Sequence, residues 1–299
     1  MLKIVLAGGT GLVGSNLLTK LKQKNYNVVL LTTSPNKAND VDTFYWNPYH
    51  AQFPEHVLSD ADIVINLSGA AIFDKRFTKK RKKELWDSRT IPNENLLLYF
   101  KNRINKVSHF ISASATGYYP NVCLLPLNEN STKGTNYVSD LVEAWEKSAQ
   151  NFTTLGCKVS IVRIGIVFSN KGGFLQKLIQ PMRYWLGAVP GDGRQIISWI
   201  HVDDLSALII HMIENKIEGT YNATADEPTS LQIISEQAAK SIHRKLLLPN
   251  IPVFILKLLF GKRYELLLTS QHVDNSKIKA SGFKFKFIST QQAIDHLYS

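Results

Sequence analysis

The sequence has little cysteine and no long uninterrupted apolar stretch. Its 299 residues contain two cysteines, Cys123 and Cys157, whose separation fits neither a disulfide framework nor a metal-binding motif. The apolar segment 251–260 is interrupted by Pro252 and Lys257, and it is too short to cross a bilayer. The apolar run near the amino terminus is too short for a signal peptide and leads directly into glycines. These absences predict a cytoplasmic protein with no bound metal and no membrane partner.

The composition is that of a folded globular protein with a basic charge balance. Hydrophobic residues make up 44% of the chain and aromatic residues 10%, which excludes a disordered chain. Much of the formal net charge of +11 lies in residues 75–83, KRFTKKRKK. Such a run is typically a solvated helix face; the alternatives are contacts with cofactor or substrate phosphates and, in third place, nucleic-acid binding. No stacking aromatics are interleaved at a spacing that would support the nucleic-acid interpretation.

The amino-terminal stretch combines a short apolar strand, a glycine-rich turn and a helix. Gly8, Gly11 and Gly14 follow the strand, a helical leucine pattern occupies residues 17–21, and a second apolar strand at residues 28–32 completes a β-α-β unit. A tight strand-to-helix turn presents the N–H groups and the positive end of the helix dipole, while glycines let a pyrophosphate approach the backbone. In this context the spacing predicts a dinucleotide site.

The end of the second strand lacks an acidic residue. Sites that prefer NAD usually place Asp or Glu there to bind the ribose 2′-hydroxyl, whereas NADP sites offer hydroxyls and cations to the extra phosphate. Thr33, Ser34 and Lys37 occupy this part of the sequence. Because a carboxylate would repel the phosphate and none is present, the sequence predicts NADP in preference to NAD.

Apolar strands alternate with helical patterns up to about residue 170. This alternation predicts an α/β fold, a Rossmann-like, doubly wound parallel sheet covered by helices on both faces, in which residues 158–168 form one long strand. We expect residues 1–225 to form the nucleotide-binding domain, with residues 171–195 contributing to the substrate cleft. Residues 226–299 would form a smaller, mostly helical C-terminal domain on the substrate side.

Small and hydroxyl-bearing residues follow two of the predicted strands, at residues 68–71 and 112–119. Ligands of open α/β sheets bind at the carboxyl ends of the strands, so these exits are candidate ligand contacts; tight helix packing is the alternative explanation for the small residues. Further along, Asp203 or Asp204 is expected to cap the next helix, and the preceding His201 is expected to be structural.

Several separated stretches together carry a resemblance to a known superfamily. They are residues 8–14 (GGTGLVG), 66–69 (NLSG), 75–78 (KRFT), 87–89 (DSR), 112–119 (SASATGYY), 145–146 (WE), 163–165 (RIG), 193–195 (GRQ), 199–204 (WIHVDD), 253–261 and 282–283. As an ordered set covering nearly the whole chain, they resemble the extended and atypical short-chain dehydrogenase/reductases. Within that superfamily they are most similar to the NAD(P)-dependent epimerase/dehydratase branch, in the "epimerase family protein" group with its own C-terminal domain.

This resemblance implies which residues contact a nicotinamide dinucleotide. The implied contacts are Gly8, Thr10, Gly11, Leu12, Val13, Gly14, Leu67, Ser68 and Gly69.

The resemblance also implies a catalytic group with one member missing. The superfamily uses a Ser or Thr to orient the substrate, a Tyr to move a proton, and a Lys four residues later whose charge favours the phenolate. Ser114 matches the Ser, and Tyr137, nine residues before Glu146, matches the Tyr. The lysine position is Leu141. A Tyr with an unperturbed pKa of about 10 is a poor base near neutral pH.

The missing lysine leaves two interpretations open. In one, another residue moves the proton, with Tyr118, Lys82 and Arg76 as candidates; in the other, the protein binds NADP as a sensor or scaffold without turnover. Arg76, Arg89 and Lys82 are also candidates for binding an anionic group, since guanidinium suits bidentate contacts, with surface ion pairs as the alternative. The sequence favours an NADP-dependent oxidoreductase or epimerase-like enzyme on a small polar substrate. It leaves the oligomeric state open, a homodimer included.

Overall fold

The computed structural model describes residues 2–33, 43–49, 53, 55–101, 103, 107–121 and 125–298, which hold eleven strands and eleven helices. The strands are β1 (Lys3–Ala7), β2 (Asn27–Thr32), β3 (Thr43–Tyr45), β4 (Ile63–Asn66), β5 (His109–Ala115), β6 (Lys158–Ile164), β7 (Ile166–Phe168), β8 (Ile196–Ile197), β9 (Trp199–His201), β10 (Gly219–Ala223) and β11 (Thr229–Ser230). The helices are α1 (Leu12–Gln23), α2 (Glu55–Leu58), α3 (Lys79–Lys101), α4 (Tyr137–Gln150), α5 (Gly173–Arg183), α6 (Val202–Glu214), α7 (Leu231–Ser241), α8 (Val253–Phe260), α9 (Tyr264–Leu267), α10 (Ser276–Ala280) and α11 (Thr290–Tyr298).

Seven strands form one parallel sheet in the order β10-β6-β5-β4-β1-β2-β3. At its centre, Val5 of β1 pairs with Val29 of β2 on one side and with Val64 of β4 on the other. The chain winds outward from β1 in both directions, so the strand order reverses between β1 and β4. This confirms the Rossmann-like doubly wound sheet, in which ligands bind at the carboxyl ends of the strands beside such a reversal.

Alternate residues of the central strand supply two different cores. Ile4 and Leu6 pack into a core with α1 and α6, whereas Val5 and Ala7 pack into a core with α3 and α4. All four are fully buried, which is why the strand appears in the sequence as a continuous apolar run. Burying one aliphatic side chain of this size is worth about 1.5–3 kcal/mol, so the two cores fix the strand from both faces.

The predicted single strand at residues 158–168 is wrong. Strand β6 ends at Ile164 in the central sheet, and β7 begins at Ile166 and pairs instead with β9. Gly165 lies at the break, where a Cβ atom would come within 2.6 Å of the Ser198 carbonyl oxygen. The apolar run continues through the break, so the hydrophobic pattern does not reveal the change of sheet.

The residues after 225 contribute to more than one core. Ile278 and Phe283 join the core of α1 and α6, while Phe287 joins a third core with α5 and α7. The buried carboxylate of Asp204 accepts hydrogen bonds from the N–H groups of Lys286 at 3.0 Å and Phe287 at 2.9 Å. The C-terminal part is therefore hydrogen-bonded to α6 of the sheet domain. The domain boundary near residue 225 remains a prediction. Within the described part of the chain, every helix is too short or too polar to cross a bilayer.

Candidate functional site

The turn between β1 and α1 leaves no room for side chains at two positions. Gly8 has a φ of +77°, and a Cβ atom there would lie 2.7 Å from the Leu67 carbonyl carbon. A Cβ atom at Gly14 would lie 2.3 Å from the Gly8 carbonyl oxygen. Gly11 begins α1 without a capping side chain, and the first turn of the helix has no acidic residue. The turn is therefore a bare backbone cradle at a helix N-terminus, which fits the diphosphate of a dinucleotide.

The exit of β4 lies directly against this cradle. Leu67 and Ser68 are the backbone neighbours that exclude a side chain from Gly8, so the structure brings together two groups of residues that the sequence predicted as cofactor contacts. The Ser68 N–H donates to the buried Asn66 carboxamide at 2.9 Å, and Asn66 Nδ2 donates to Asn93 Oδ1 at 2.6 Å. Asn93 was not among the predicted site residues. A polar residue on the apolar face of α3 was the available signal.

The other predicted cofactor contacts differ in how far solvent reaches them. Thr10, Leu12 and Val13 are half-buried, and Gly69 is exposed. The Leu12 side chain lies beside the amino end of α5, where a Cβ atom at Gly173 would be 3.1 Å from Leu12 Cδ2. Thr33, the residue after β2, is exposed. Two other predicted contacts, Ser34 and Lys37, lie outside the described residues.

Ser114 is engaged with a buried ion pair. Its side chain is 2% exposed, and its hydroxyl donates to Glu146 Oε1 at 2.5 Å. Arg163 donates to both oxygens of the same carboxylate at 2.8 Å. Burial lowers the pKa of Arg163, but the hydrogen bonds and charge of Glu146 outweigh it and hold that pKa above its usual range. The Ser114 proton is thus committed to a carboxylate inside the protein.

Tyr118 completes this network on its outer side. Its ring covers the Arg163 guanidinium at 3.6 Å and meets the Tyr119 ring edge-on at 5.5 Å. Tyr119 is buried and accepts a hydrogen bond from Arg163 at 2.9 Å. Burial raises the pKa of Tyr119 to about 12, so its hydroxyl stays protonated. The exit of β5 is therefore filled by side chains that satisfy one another.

Tyr137 begins α4 and lies against the amino end of α3. Its hydroxyl donates to the Lys82 carbonyl oxygen at 2.7 Å, and Lys82 Nζ lies 4.4 Å from the centre of its ring. Burial raises the pKa of Tyr137, while the positive charges of Arg89 and Arg81 oppose the rise. Leu141, at the position of the expected lysine, is 1% exposed. The cations near Tyr137 therefore come from α3 and not from α4.

Arg89 is a cation without an acidic partner among the residues that the structure describes. Its guanidinium donates to the carbonyl oxygens of Ala70 and Leu85, each at 3.0 Å, and lies 5.1 Å from the ring centre of Trp145. A Cβ atom at Gly69 would be 3.3 Å from its central carbon, so Arg89 adjoins the exit of β4. Burial lowers its pKa to about 10, which leaves it charged at neutral pH. This desolvated cation favours a bound anion.

The basic run at residues 75–83 does not form one uniform surface. Arg76 is exposed and has no ion pair among the described residues. Arg81 is 5% exposed and pairs with Glu84 at 2.7 Å, and Lys83 pairs with Asp87 at 2.5 Å. Some of its cations are therefore neutralised within α3, which weakens the expectation of a continuous basic face.

His201 caps α6, so the expectation that Asp203 or Asp204 does so was wrong. The ring atom Nδ1 of His201 accepts the Asp203 N–H at 3.0 Å, and Nε2 lies 3.3 Å from His296 Nδ1. Burial lowers the pKa of His201 to about 4, so the ring is neutral. Potential ligand atoms of His201, Asp203 and His296 lie within 4.8 Å of one another, but these hydrogen bonds already engage both nitrogens of His201. Asp203 also accepts a hydrogen bond from Asn16 of α1 at 2.8 Å, which ties α6 to the cradle helix.

Residues 4–224 match the NAD dependent epimerase/dehydratase family, and residues 251–297 match a domain of unknown function, DUF1731. An epimerase family protein of Staphylococcus aureus (strain MRSA252) is 34% identical over 304 residues, covering 100% of this chain and 100% of its own length. One from Staphylococcus epidermidis is 33% identical over 302 residues, covering 99% of each chain.

Two solved structures extend this comparison to the fold. The crystal structure of a human epimerase family protein with NADPH has a TM-score of 0.89 at 23% identity and covers 99% of each chain. A UDP-glucose 4-epimerase from Thermotoga maritima, solved with UDP-glucose, has a TM-score of 0.82 at 18% identity and covers 99% of this chain and 97% of its own. At these identities the similarity concerns the fold.

Proposed function

The chain belongs to the NAD dependent epimerase/dehydratase family, and we propose that it is an NADP-dependent oxidoreductase or epimerase-like enzyme acting on a small polar substrate. The observation that carries this proposal is the bare backbone cradle at Gly8, Gly11 and Gly14 beside Leu67 and Ser68. A bound nicotinamide would supply hydride transfer. The protein's own residues would bind the coenzyme, orient the substrate and move the proton.

The preference for NADP is supported by the end of β2. Thr33 is exposed there and Ser34 and Lys37 follow it in the sequence, with no carboxylate among the three to repel a 2′-phosphate. The human protein of similar fold was crystallised with NADPH, which agrees with this proposal.

We propose that Tyr137 donates the proton to the substrate oxygen. Lys82 and Arg89 would supply the positive charge that the missing lysine provides in the superfamily. Because burial raises its pKa, Tyr137 keeps its proton at neutral pH and is suited to act as an acid during carbonyl reduction. On substrate binding, its hydroxyl would donate its hydrogen bond to the substrate oxygen instead of the Lys82 carbonyl oxygen. Tyr118 remains the alternative acid, since its hydroxyl makes no hydrogen bond within the described part of the chain. Ser114, whose proton goes to Glu146, would be a positioning residue at the exit of β5.

Arg89 is the proposed contact for a negatively charged group of the substrate. Its guanidinium is desolvated, binds only neutral acceptors and adjoins the exit of β4 next to the cradle. Lys82 and the exposed Arg76 are on the same helical segment or just before it, and we propose them as supporting cations. A phosphate or carboxylate would satisfy this charge.

Titration of the protein with NADPH and with NADH, followed by coenzyme fluorescence, tests the proposal. NADPH should bind at least about tenfold more tightly, a difference of about 1.4 kcal/mol. Equal affinities would remove the preference for NADP, and failure of both coenzymes to bind would overturn the proposed function.

A sensor or scaffold that binds NADP without turnover is the second candidate. The buried Leu141 and the internal engagement of Ser114 favour it. Tight NADPH binding with no oxidation of the coenzyme across a panel of carbonyl and nucleotide-sugar substrates would select this alternative. Nucleic-acid binding has less support, since the basic run is broken by internal ion pairs.

A further inference from the structure

Exposed apolar side chains are concentrated in one part of the surface. Among the described residues, more than half of the large hydrophobic side chains that face solvent lie in three short segments. They are Tyr184, Trp185 and Leu186, then Leu247 and Leu248, and finally Val253, Phe254, Leu258 and Leu259. Monomeric proteins rarely expose so large an apolar cluster unless it contacts something.

The three segments lie side by side. The Ile251 N–H donates to the Val189 carbonyl at 2.8 Å, and the Gly191 N–H donates to the Ile251 carbonyl at 3.0 Å. The same two loops also meet at earlier positions, where the Arg244 guanidinium lies 4.9 Å from the ring centre of Trp185. Helix α8 begins two residues after Ile251. The two loops are therefore adjacent, and α8 follows directly from the second.

Helix α8 presents its apolar side chains outward. Phe254 is 71% exposed and Leu258, one turn later, is 77% exposed, whereas Leu256 is fully buried and anchors the helix. Lys257 is exposed between them. An ordinary surface helix turns its apolar stripe toward the core, so α8 has an apolar face with no partner in the described chain.

The charge around this surface is predominantly positive. Residues 183–191 and 243–264 contain no Asp or Glu, and the first acids after them are Asp192 and Glu265. The cations of these two segments that reach solvent are Arg183, Arg244, Lys245, Lys257 and Lys262, whereas Arg263 is buried. One acid of another element, Glu236 of α7, borders the surface beside Arg244 and Lys245. A second copy of the chain, packed by a twofold axis, would place this positive charge against itself. An anionic lipid surface attracts the cations and accepts the Trp, Tyr, Phe and Leu side chains at its interface.

We propose that residues 184–186, residues 247–248 and helix α8 form a docking surface for membranes that contain anionic lipids. The expectation of no membrane partner rested on the absence of a spanning segment and a signal peptide, and docking onto a bilayer surface needs neither. The proposal does not depend on NADP binding or on turnover.

The docking surface borders the candidate substrate side of the site. The Phe260 ring at the end of α8 lies 5.5 Å from the Phe73 ring, and Arg263 donates to the Phe73 carbonyl. Phe73 belongs to the loop after β4, in which the Ala70 carbonyl accepts from Arg89. Docking would therefore hold this loop close to the lipid surface.

Co-sedimentation with vesicles tests the proposal, using phosphatidylcholine alone and phosphatidylcholine mixed with phosphatidylglycerol. The wild-type protein should bind the mixed vesicles and not the neutral ones, with a blue shift of tryptophan fluorescence that is lost in Trp185→Phe. The double variant Phe254→Ser with Leu258→Ser should bind about tenfold more weakly. Lys257→Ala should bind about fivefold more weakly.

Two matched variants serve as controls. Leu125→Ser removes an equally exposed apolar side chain, 75% exposed, outside the three segments. Lys79→Ala removes an exposed cation of the basic run. Both should bind like wild type, and circular dichroism should show every variant folded.

Three results would overturn the proposal. They are absence of wild-type binding to the mixed vesicles, an equal loss of binding in a control variant, and a wild-type dimer that the double variant dissociates without any vesicle binding. The last result would identify a second copy of the chain as the occupant of the surface.

Discussion

The exits of β1 and β5 lie at the same edge of one parallel sheet, yet they differ in what a ligand would contact there: backbone at β1 and side chains at β5. After β1, Gly8 and Gly14 keep the turn free of side chains, and α1 begins without a capping side chain or an acidic residue in its first turn. After β5, Ser114, Glu146 and Arg163 satisfy one another inside the protein. The difference indicates that the coenzyme half of the site rests on backbone geometry, whereas the side-chain half is organised around a buried ion pair.

The largest effect should come from breaking that ion pair. In Arg163→Met, Glu146 would be left as an uncompensated charge with 11% side-chain exposure, and unfolding free energy should fall by about 3–5 kcal/mol. Chemical denaturation measures the loss, and adding Glu146→Leu should recover part of it. The control Lys177→Ala removes an exposed pair with Asp74 and should cost at most about 1 kcal/mol. Equal losses in the two single variants would show that the network at β5 is not special.

The next largest effect is expected on kcat when the proposed proton donor, Tyr137, is removed. Tyr137→Phe should lower kcat for carbonyl reduction about a hundredfold, while NADPH affinity is retained. Since the pKa of Tyr137 lies above its ordinary value of about 10, the proposed reduction rate of the wild-type protein should be kept as pH rises through neutrality and be lost only beyond about pH 10. Tyr118→Phe is the matched variant. A larger loss there would move the acid to the exit of β5.

A pair of glycines isolates the role of the cradle. Gly8 and Gly156 have nearly the same φ, +77° and +74°, but only a Cβ atom at Gly8 meets the backbone of Leu67. Gly8→Ala should weaken NADPH binding about tenfold or more, a free energy of about 1.4 kcal/mol. Gly156→Ala should cost only about 1–2 kcal/mol of stability and leave NADPH affinity unchanged. If both variants bound NADPH like wild type, the cradle would not be the coenzyme site.

The smallest effect on function is expected at Ser114. Ser114 is a positioning residue that donates to Glu146. The variant Ser114→Ala should therefore lower the free energy of unfolding by about 1–2 kcal/mol and reduce kcat by less than about tenfold. Ser114→Thr, which keeps the hydroxyl, should recover part of the stability. A fall in kcat of a hundredfold with unchanged stability would instead make Ser114 a catalytic residue and remove the contrast between the two exits.

The sequence predicts the β1 half of this comparison far better than the β5 half. The apolar run of β1 and the spacing of Gly8, Gly11 and Gly14 are local signals. The strand, turn and helix that they predict depend on residues close together in the sequence. The partners of Ser114 are 32 and 49 positions away along the chain, on a helix and a neighbouring strand. Which side chains meet there depends on packing, and no periodicity records it.

The same limit explains the other differences between prediction and structure. The break at Gly165 falls inside a continuous apolar run, and the burial of Arg81 is hidden in a run of cations. The hydrogen bond from Asn66 to Asn93 joins β4 to a helix 27 residues away. In each case the deciding contact is between segments that only the folded chain brings together.

The most direct test of the account is a crystal structure of the protein grown with NADPH. We expect the diphosphate within hydrogen-bonding distance of the first-turn N–H groups of α1, with Ser114 still donating to Glu146. A coenzyme bound elsewhere, or a Ser114 hydroxyl turned from Glu146 toward the nicotinamide, would contradict the account.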